Sequence, residues 1–315
     1  MSVKIGVGFG GWPFLTESPN ELWDFVDACE SLDIDSLWLS DRIVSDVMNV
    51  EPIVALSFIA ARTTKLKFGT SVLALPLRNP TILAKEIATL DFLSGGRVLP
   101  AVGLGTEDAR EFEACGSLKT ERGRRTDESI KIMKLLWAQD QVTFHGEYYT
   151  LNNVTIEPKP VQPDLPPVWI GGRSDAAIRR TAKIGDGWLV SQATPDEVAN
   201  GVAKIKILAN EYGNDIEDDH YGVLFSYFIA DTEKEAAKQA APYMLRRRQD
   251  VDYGEFSGFG SPEQICELID RYIEAGAPKL VVRPACAPEL MSDQLGLLGE
   301  EIVPKYHGRG EEAMV

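Results

Sequence analysis

The sequence predicts an α/β protein of the (β/α)8-barrel class, with one insertion before the fifth strand. Short apolar runs alternate with amphipathic stretches along the whole 315-residue chain, which is the pattern of parallel βαβ units. Eight such runs fit within about 300 residues, and a barrel needs about 250 residues plus insertions. The phosphate-binding signature of an open dinucleotide fold is also missing after the first strand.

The glycines after the first strand have the wrong spacing for that signature, GxGxxG. The segment reads Gly6-Val7-Gly8-Phe9-Gly10-Gly11 and continues with Trp12-Pro13. No helix begins where the third glycine of the motif would stand. A closed barrel is therefore favoured over a doubly wound open sheet.

Four strand-then-helix units make up the first half of the chain. The first helix has Ser18 as its predicted cap, and Leu22, Phe25, Val26 and Cys29 on one face. Pro80, in the first turn, marks the start of the helix predicted over residues 80–93. The predicted strands are 3–9, 36–39, 66–73 and 98–104, and the predicted helices are 19–31, 52–62, 80–93 and 122–137.

The alternation then breaks, which predicts an insertion before the fifth strand. Residues 142–151 indicate a hairpin that turns at residues 145–147. The prolines within 157–160 and 163–167 exclude helix. Because this segment leads into the next apolar run, it is interpreted as an insertion and not as a domain boundary.

Strand-then-helix units resume in the second half. Strands are predicted at 168–171, 187–190, 221–230 and 279–283, helices at 175–184, 195–212, 232–247 and 262–275, and a glycine-rich loop at 254–260. No Pro/Ser-rich linker or charge block divides the chain. We therefore predict a single barrel domain over residues 1–307, followed by a frayed tail at 308–315.

The charge balance narrows the classes of partner. The chain has 48 acidic and 32 basic residues, for a formal net charge of −16. Such a surface repels phosphate backbones and anionic lipids, so nucleic acid and membranes are not expected as partners. A few arginines and helix N-termini can still form a positive pocket for a small anion.

The four cysteines form no CxxC pair, which argues against a zinc ribbon or a thioredoxin-like site. Buried, reduced thiols in a cytoplasmic protein are expected instead. The first residues enter an apolar strand pattern without a charged-then-apolar leader, and no apolar run reaches the ~18 residues of a membrane span. The three histidines are scattered, so no metal site is predicted.

In a barrel, the loops after the strands carry the chemistry. The loop after the fifth strand is Gly171-Gly172-Arg173-Ser174 and leads directly into a helix. Two glycines, a helix N-terminus and an arginine form a plausible phosphate-binding loop. The alternative is a tight turn in which Ser174 only caps the helix. These residues alone leave both interpretations open.

Charged residues also follow the second and fourth strands. Asp41 and Arg42 could form a surface ion pair or act in a site. Glu107 and Asp108 could act in a site or favour the N-terminus of a following helix. There is no GxSxG motif, which argues against an α/β-hydrolase.

Several segments in order resemble the luciferase-like monooxygenase superfamily, particularly its single-component and deazaflavin-using branches. Together they cover roughly residues 3–300. They are Ser36-Leu37-Trp38-Leu39-Ser40-Asp41-Arg42, Gly69-Thr70-Ser71-Val72-Leu73, the segments 97–105 and 121–128, Phe144-His145-Gly146-Glu147-Tyr148-Tyr149, and 158–174 continuing to Gly185-Asp186-Gly187-Trp188.

The resemblance implies specific site residues. Gly171, Gly172, Arg173 and Ser174 match the stretch that holds the coenzyme phosphate. The Ser71-Val72 bond falls where relatives have a non-prolyl cis peptide in a bulge behind the coenzyme ring. Gly103 and Gly105 would give the ring room, and Glu107 lies near the position of an acid in some deazaflavin enzymes.

One departure concerns Arg42. Relatives often have Asp-His where this chain has Asp41-Arg42, and that histidine frequently binds or protonates the substrate or the coenzyme. An arginine does not donate a proton near pH 7. It can still stabilise an anionic coenzyme ring or a substrate anion electrostatically.

The expected function is therefore hydride transfer or monooxygenation of a small organic substrate. The coenzyme would be an 8-hydroxy-5-deazaflavin, which we slightly prefer, or FMN. A separate reductase and a homodimer are expected by family analogy. The alternatives are a non-redox phosphate-binding lyase or isomerase, and a non-catalytic luciferase-like subunit that stabilises a partner.

Overall fold

Short parallel strands alternate with helices in the computed structural model, which describes residues 2–244 and 248–306. The described strands are β1 (Lys4–Phe9), β2 (Ser36–Leu39), β3 (Lys67–Thr70), β4 (Leu73–Ala74), β5 (Val98–Leu99), β6 (Ala101–Gly103), β7 (Val142–His145), β8 (Thr150–Val154), β9 (Trp169–Gly171), β10 (Gly187–Ser191), β11 (Tyr221–Ile229), β12 (Gly258–Gly260) and β13 (Lys279–Pro284). The described α-helices are α1 (Pro19–Ser31), α2 (Pro52–Arg62), α3 (Pro80–Ser94), α4 (Ala109–Ala114), α5 (Arg122–Ala138), α6 (Asp175–Ile184), α7 (Pro195–Tyr212), α8 (Glu233–Ala240), α9 (Pro262–Glu274) and α10 (Met291–Leu297).

The parallel strands form one sheet that curls back on itself. From β1 the pairings run through β2 and β3 to β5 in one direction, and through β13, β11, β10, β9 and β6 to β4 in the other. β4 continues β3 and β6 continues β5, so the two ends of the sheet belong to the same two chain segments. The α/β class with a curled parallel sheet is thereby confirmed.

The third and fourth predicted strands are each interrupted. Ser71 and Val72 separate β3 from β4, and the peptide bond between them is cis, as the resemblance implies. Pro100 separates β5 from β6. Thr70 bridges the two breaks, because its Oγ1 donates to the Ala101 carbonyl at 2.7 Å and accepts from the Ala101 N–H at 3.1 Å.

Large apolar side chains fill the inside of the curled sheet. Trp38 is fully buried there, and its indole N–H donates to Ser36 Oγ at 2.9 Å. A Cβ at Gly69 would lie only 2.8 Å from the Trp38 ring, so the glycine makes room for it. The residues of this inner cluster are Trp38, Ala101, Trp169, Leu189, Leu224 and Val281. A larger apolar core lies between the sheet and the helices.

The predicted hairpin region forms an antiparallel pair, β7 with β8. A buried carboxylate holds the proline-rich segment that follows against α3. Asp91 accepts from the Val161 N–H at 2.7 Å, the Gln162 N–H at 3.1 Å and the Gln162 side-chain amide at 2.6 Å.

The C-terminal half differs from prediction in three places. The helix predicted over 232–247 ends as α8 at Ala240, because Pro242 lacks an N–H and starts no further α-turn. Residues 245–247 of that prediction lie outside the described residues. The predicted glycine-rich loop contains β12, which pairs with β11. Helix α10 was not predicted. The tail predicted over 308–315 lies outside the described residues. None of the described helices combines the length and apolar character needed to cross a membrane.

Candidate active site

A cavity of about 590 Å³ opens at the carboxyl ends of the strands. All but one of the residues predicted for the site line it. These residues are Asp41, Arg42, Ser71, Val72, Gly103, Gly105, Glu107, Gly171, Gly172 and Ser174. The structure therefore brings together loops that lie up to about 130 residues apart in sequence, and Arg173 is the exception.

Val72 packs in a gap between two glycines on neighbouring strands. A Cβ at Gly103 would lie 2.6 Å from Val72 Cγ2, and a Cβ at Gly171 would lie 2.7 Å from Val72 Cγ1. Gly103, which is expected to leave room for a coenzyme ring, also makes room for the side chain of Val72. The two glycines let the bulge at Ser71-Val72 face the cavity.

Asp41 fixes the backbone just beyond that bulge. Its carboxylate accepts from the Ala74 N–H at 3.0 Å and pairs with Arg78 Nη2 at 2.8 Å, and its side chain is fully buried. Arg78 also pairs with Glu51 at 2.9 Å. Burial raises the pKa of the Asp41 carboxyl, and Arg78 acts in the opposite direction. The ion pair considered between Asp41 and Arg42 is thus formed with Arg78 instead, which makes Asp41 a positioning residue.

Glu111, which the sequence analysis did not identify, fixes the loop that carries Arg42. It is almost fully buried and accepts from the Ile43 N–H at 2.8 Å and the Val44 N–H at 3.3 Å. Thr106 Oγ1 donates to its other oxygen at 2.8 Å. Because Asp41 and Ile43 are both held, the backbone at Arg42 is fixed on both sides. The Arg42 Nε is buried and has no hydrogen-bond partner among the described residues.

Glu107 lies at the rim of the cavity, and its side chain is 76% exposed. It pairs with Arg122 and with Lys119, each at 2.7 Å. Hydrogen bonds from Lys119 and Arg122 lower the pKa of Glu107. A carboxylate held in this way is a poor proton donor at neutral pH. Asp108, by contrast, caps α4, as its alternative interpretation predicts.

The loop after β9 combines an anchored backbone with the N-terminus of α6. Gly172 has a φ of 112°, which a residue with a side chain rarely adopts, and its carbonyl accepts from the Trp188 indole N–H at 2.7 Å. Ser174 caps α6 by accepting from the Ala177 N–H at 3.2 Å. Arg180, from the second turn of α6, also lines the cavity. The cap of the alternative interpretation is therefore present, and the N-terminus of α6 also borders the cavity.

Arg173 does not line the cavity; its side chain is exposed and donates to the Gln192 carbonyl at 3.3 Å. Three other arginines do line it: Arg122, Arg180 and Arg283. Arg283 Nη2 donates to Ser40 Oγ and to Ser71 Oγ, each at 2.9 Å. Arg122 lies in the segment 121–128 that carries part of the family resemblance, whereas no local motif marks Arg180 or Arg283.

The titratable side chains that line the cavity are four arginines, Asp41 and Glu107; among the described lining residues there is no histidine, cysteine, lysine or tyrosine. The described part of the chain has one cluster with metal-binding potential, Glu217, Asp219 and His220. It precedes β11 and so lies at the opposite end of the strands from the cavity. The cavity is thus suited to electrostatic stabilisation of anions and has few groups for proton transfer.

Comparisons with known proteins agree on one family. The family model described as luciferase-like monooxygenase matches residues 1–259. A coenzyme F420-dependent glucose-6-phosphate dehydrogenase from Kineococcus radiotolerans is 34% identical over 55% of this chain and 52% of its own length. An FMNH2-dependent dimethylsulfone monooxygenase from Pseudomonas putida is 32% identical over 64% of this chain and 54% of its own length. The chain thus spans about half the length of these two relatives.

A longer match at lower identity covers nearly the whole chain. A coenzyme F420-dependent glucose-6-phosphate dehydrogenase from Microbacterium testaceum is 29% identical over 92% of this chain and 94% of its own length. Among solved structures, an F420-dependent tetrahydromethanopterin reductase from Methanopyrus kandleri is similar with a TM-score of 0.80 at 20% identity, covering 97% of this chain and 100% of its own. At that identity the likeness establishes the fold alone.

Proposed function

The chain belongs to the luciferase-like monooxygenase family, and we propose that it is an oxidoreductase that binds a flavin-type coenzyme in the cavity at the carboxyl ends of its strands. The observation that carries the proposal is that one cavity joins the bulge at Ser71-Val72 to the loop Gly171–Ser174. The proposed barrel comprises residues 1–307, with the hairpin and the proline-rich segment as its insertion.

The residues present fit such a coenzyme. The N–H groups at the start of α6 and the hydroxyl of Ser174 would hold its phosphate, and Arg180 and Arg122 would add positive charge. The bulge, held by Asp41 and supported by Val72, would lie against the ring. The bound coenzyme would supply two-electron redox chemistry, and the protein would bind, orient and shield it.

Relatives of this chain use either F420, a deazaflavin, or FMN. We favour the deazaflavin for this chain, because a relative matched over 92% of the chain is F420-dependent. With a deazaflavin the reaction would be hydride transfer to or from a small organic substrate. With FMN it would be monooxygenation, and a separate reductase would be needed as a partner.

Paired fluorescence titrations of the purified protein with F420 and with FMN test the proposal. We expect tighter binding of F420, in the micromolar range (about −8 kcal/mol). Preference for FMN would retain the oxidoreductase and change the coenzyme. Binding of neither would overturn the proposal and favour a non-redox phosphate-binding lyase or isomerase. Coenzyme binding without turnover by any electron donor would favour a non-catalytic subunit.

We also propose that the protein forms a homodimer through the neighbouring helices α2 and α3. Their outer faces carry large apolar side chains that are more than half exposed, which is uncommon on a monomer surface when they are grouped. These residues are Val54, Phe58, Ile82, Phe92 and Leu93. Light scattering should give a dimer for the wild type and a monomer for Phe58→Asp. A wild-type monomer would overturn this part of the proposal.

A further inference from the structure

Besides the loop Gly171–Ser174, the cavity has a second polar region, around Arg42. The Arg42 side chain forms no ion pair with a carboxylate within residues 2–244 and 248–306. The acidic groups near it are bound by other donors. Asp41 is bound by Arg78, and Asp108 by Arg110. Glu111 is bound by two backbone N–H groups and by Thr106. The charge of Arg42 helps to lower the pKa of Asp108, but the buried Arg42 Nε has no hydrogen-bond partner among the described residues.

Asn49 adds an unused hydrogen-bond acceptor to this region. Its Oδ1 is buried, has no partner among the described residues, and Asn49 lines the cavity. The loop Gly10-Gly11 lies between Asn49 and Arg283. A Cβ at Gly11 would be 3.6 Å from Asn49 Nδ2, and a Cβ at Gly10 would be 3.9 Å from Arg283 Nη1. Arg42 and Asn49 both line the cavity, so a donor and an acceptor that lack partners among the described residues border the same space.

The order of the strands separates this region from the loop that would hold the coenzyme phosphate. Arg42 follows β2, Gly10-Gly11 follows β1, and Arg283 is on β13, the other neighbour of β1. The loop Gly171–Ser174 follows β9. Going round the sheet from β1, β9 is four places away in either direction, when interrupted strands are counted once. The two polar regions are therefore on opposite sides of the mouth.

We propose that the region formed by Arg42, Asn49 and Arg283 binds the substrate, and that the substrate is a small organic oxyanion with a hydrogen-bond donor next to its anionic group. A buried guanidinium donor that lacks a partner favours an oxyanion. A buried amide oxygen that lacks a partner favours a hydroxyl or amino group. This inference rests on the proposed function, because it assigns the other side of the cavity to the coenzyme.

Calorimetric titration of the coenzyme-loaded protein at constant ionic strength tests the inference. The probes are propionate, lactate (which differs from propionate by one hydroxyl) and inorganic phosphate. We expect saturable binding, with lactate bound more tightly than propionate. Arg42→Gln should weaken binding of all anions by about tenfold or more, since it removes a charge-assisted hydrogen bond. Asn49→Ala should remove only the preference for lactate.

Controls separate this site from other anion effects. Arg124→Gln changes an exposed arginine that does not line the cavity and should leave the titrations unchanged. Arg42→Lys keeps the charge and should retain part of the affinity, and it replaces Arg42→Gln should that variant not fold. Equal anion affinity in the wild type and both Arg42 variants would overturn the inference, and so would non-saturable binding. Binding of phosphate but not of carboxylates would support the inference and would narrow the proposed substrate to phosphate esters.

Failure of the proposed function gives a different result. If the proposed function is wrong, neither F420 nor FMN binds. The anion titrations are then run without coenzyme on the Ser174→Ala variant, in which the proposed phosphate site at the start of α6 is weakened. Anion binding that still depends on Arg42 would support the substrate region without the coenzyme. Coenzyme binding with no effect of Arg42 on anions would overturn the substrate region alone.

Discussion

The side chain of Val72 occupies the space that a side chain at Gly103 would need, since a Cβ there would lie 2.6 Å from Val72 Cγ2. Gly103 is on β6 and Val72 is in the break between β3 and β4. The glycine therefore determines where the bulge can lie, and the bulge forms part of the cavity wall. A residue 31 positions away in sequence thus shapes the candidate coenzyme site.

Gly103→Ala is expected to displace Val72 and to weaken coenzyme binding. Overpacking of this kind costs about 1–3 kcal/mol of folding free energy, and the shifted bulge should lower coenzyme affinity as well. Urea denaturation and fluorescence titration measure the two effects. Gly296→Ala is a matched control, because no atom lies within 4 Å of a Cβ at that helical position. It should be neutral or slightly stabilising.

The double variant Gly103→Ala with Val72→Ala identifies the cause. If the clash with Val72 is responsible, truncating Val72 should recover part of the stability that Gly103→Ala loses, so the two changes should not be additive. Additive losses would show that Gly103 acts on the site in another way.

Helices were predicted from local signals, and four of those predictions match the structure at both ends. Helices α1, α2, α6 and α7 begin and end at the predicted residues, because a cap or a proline fixes each start. The break in the third strand falls at the Ser71-Val72 bond, where the resemblance implies a bulge. The break at Pro100 in the fourth strand was not predicted. Pro242, two residues after the end of α8, was a local signal that the sequence analysis gave less weight than the apolar pattern of the segment.

The location of the candidate site was predictable, because the loops that follow the strands of a barrel meet at one end of it. Asp41, Ser71 and Gly171 line one cavity, as the barrel prediction requires. The roles of particular side chains were not predictable. Arg78 pairs with Asp41 from a position 37 residues away, and Arg283 reaches Ser40 across β1. Such contacts follow from the ring of strands and leave no sequence motif.

Asp41→Asn is expected to destabilise the protein strongly. The Asp41 side chain is fully buried against Arg78, and removing one charge of a buried pair costs about 3–5 kcal/mol when the other charge is left without a partner. Because Arg78 keeps its contact with Glu51, the loss should lie toward the lower end of that range. Thermal denaturation should show the loss, and coenzyme affinity should fall with it because the Ala74 contact weakens. Glu51→Gln changes the partly exposed partner of Arg78 and should cost about 1 kcal/mol or less. A loss for Asp41→Asn no larger than that of Glu51→Gln would contradict this account.

Ser174→Ala should affect both helix stability and coenzyme binding. Loss of an N-cap costs about 1 kcal/mol, and a hydroxyl near the proposed phosphate would be lost as well. Ser261→Ala is the matched control, because Ser261 caps α9 and does not line the cavity. The two variants should lose similar stability, while only Ser174→Ala weakens binding of the coenzyme. Equal coenzyme affinity in both would remove Ser174 from the phosphate site.

Arg248 anchors the segment that supplies Phe256 to the cavity wall. Its guanidinium donates to Glu197 at 2.7 and 2.9 Å, to Asp250 at 2.7 Å and to the Gln192 carbonyl at 2.8 Å. Hydrogen bonds from Arg248 lower the pKa of Glu197 below its ordinary 4.5. A lowered pKa in the folded state means that this pair stabilises the protein above pH 4.5. That contribution is lost as the pH falls through the folded-state value.

Glu197→Gln should therefore reduce stability at pH 7 and have a smaller effect in acid. Because 42% of the Glu197 side chain is exposed, solvent screening should hold the loss to about 1 kcal/mol. The difference from the wild type should shrink as the pH is lowered from 4.5 toward 3, since the wild-type carboxylate then becomes protonated as well. Glu235→Gln, at the equivalent position of α8, lacks a buried arginine partner among the described residues and should show little loss at either pH. A loss for Glu197→Gln that is constant from pH 7 to pH 3 would mean that the charge of Glu197 does not stabilise the Arg248 anchor.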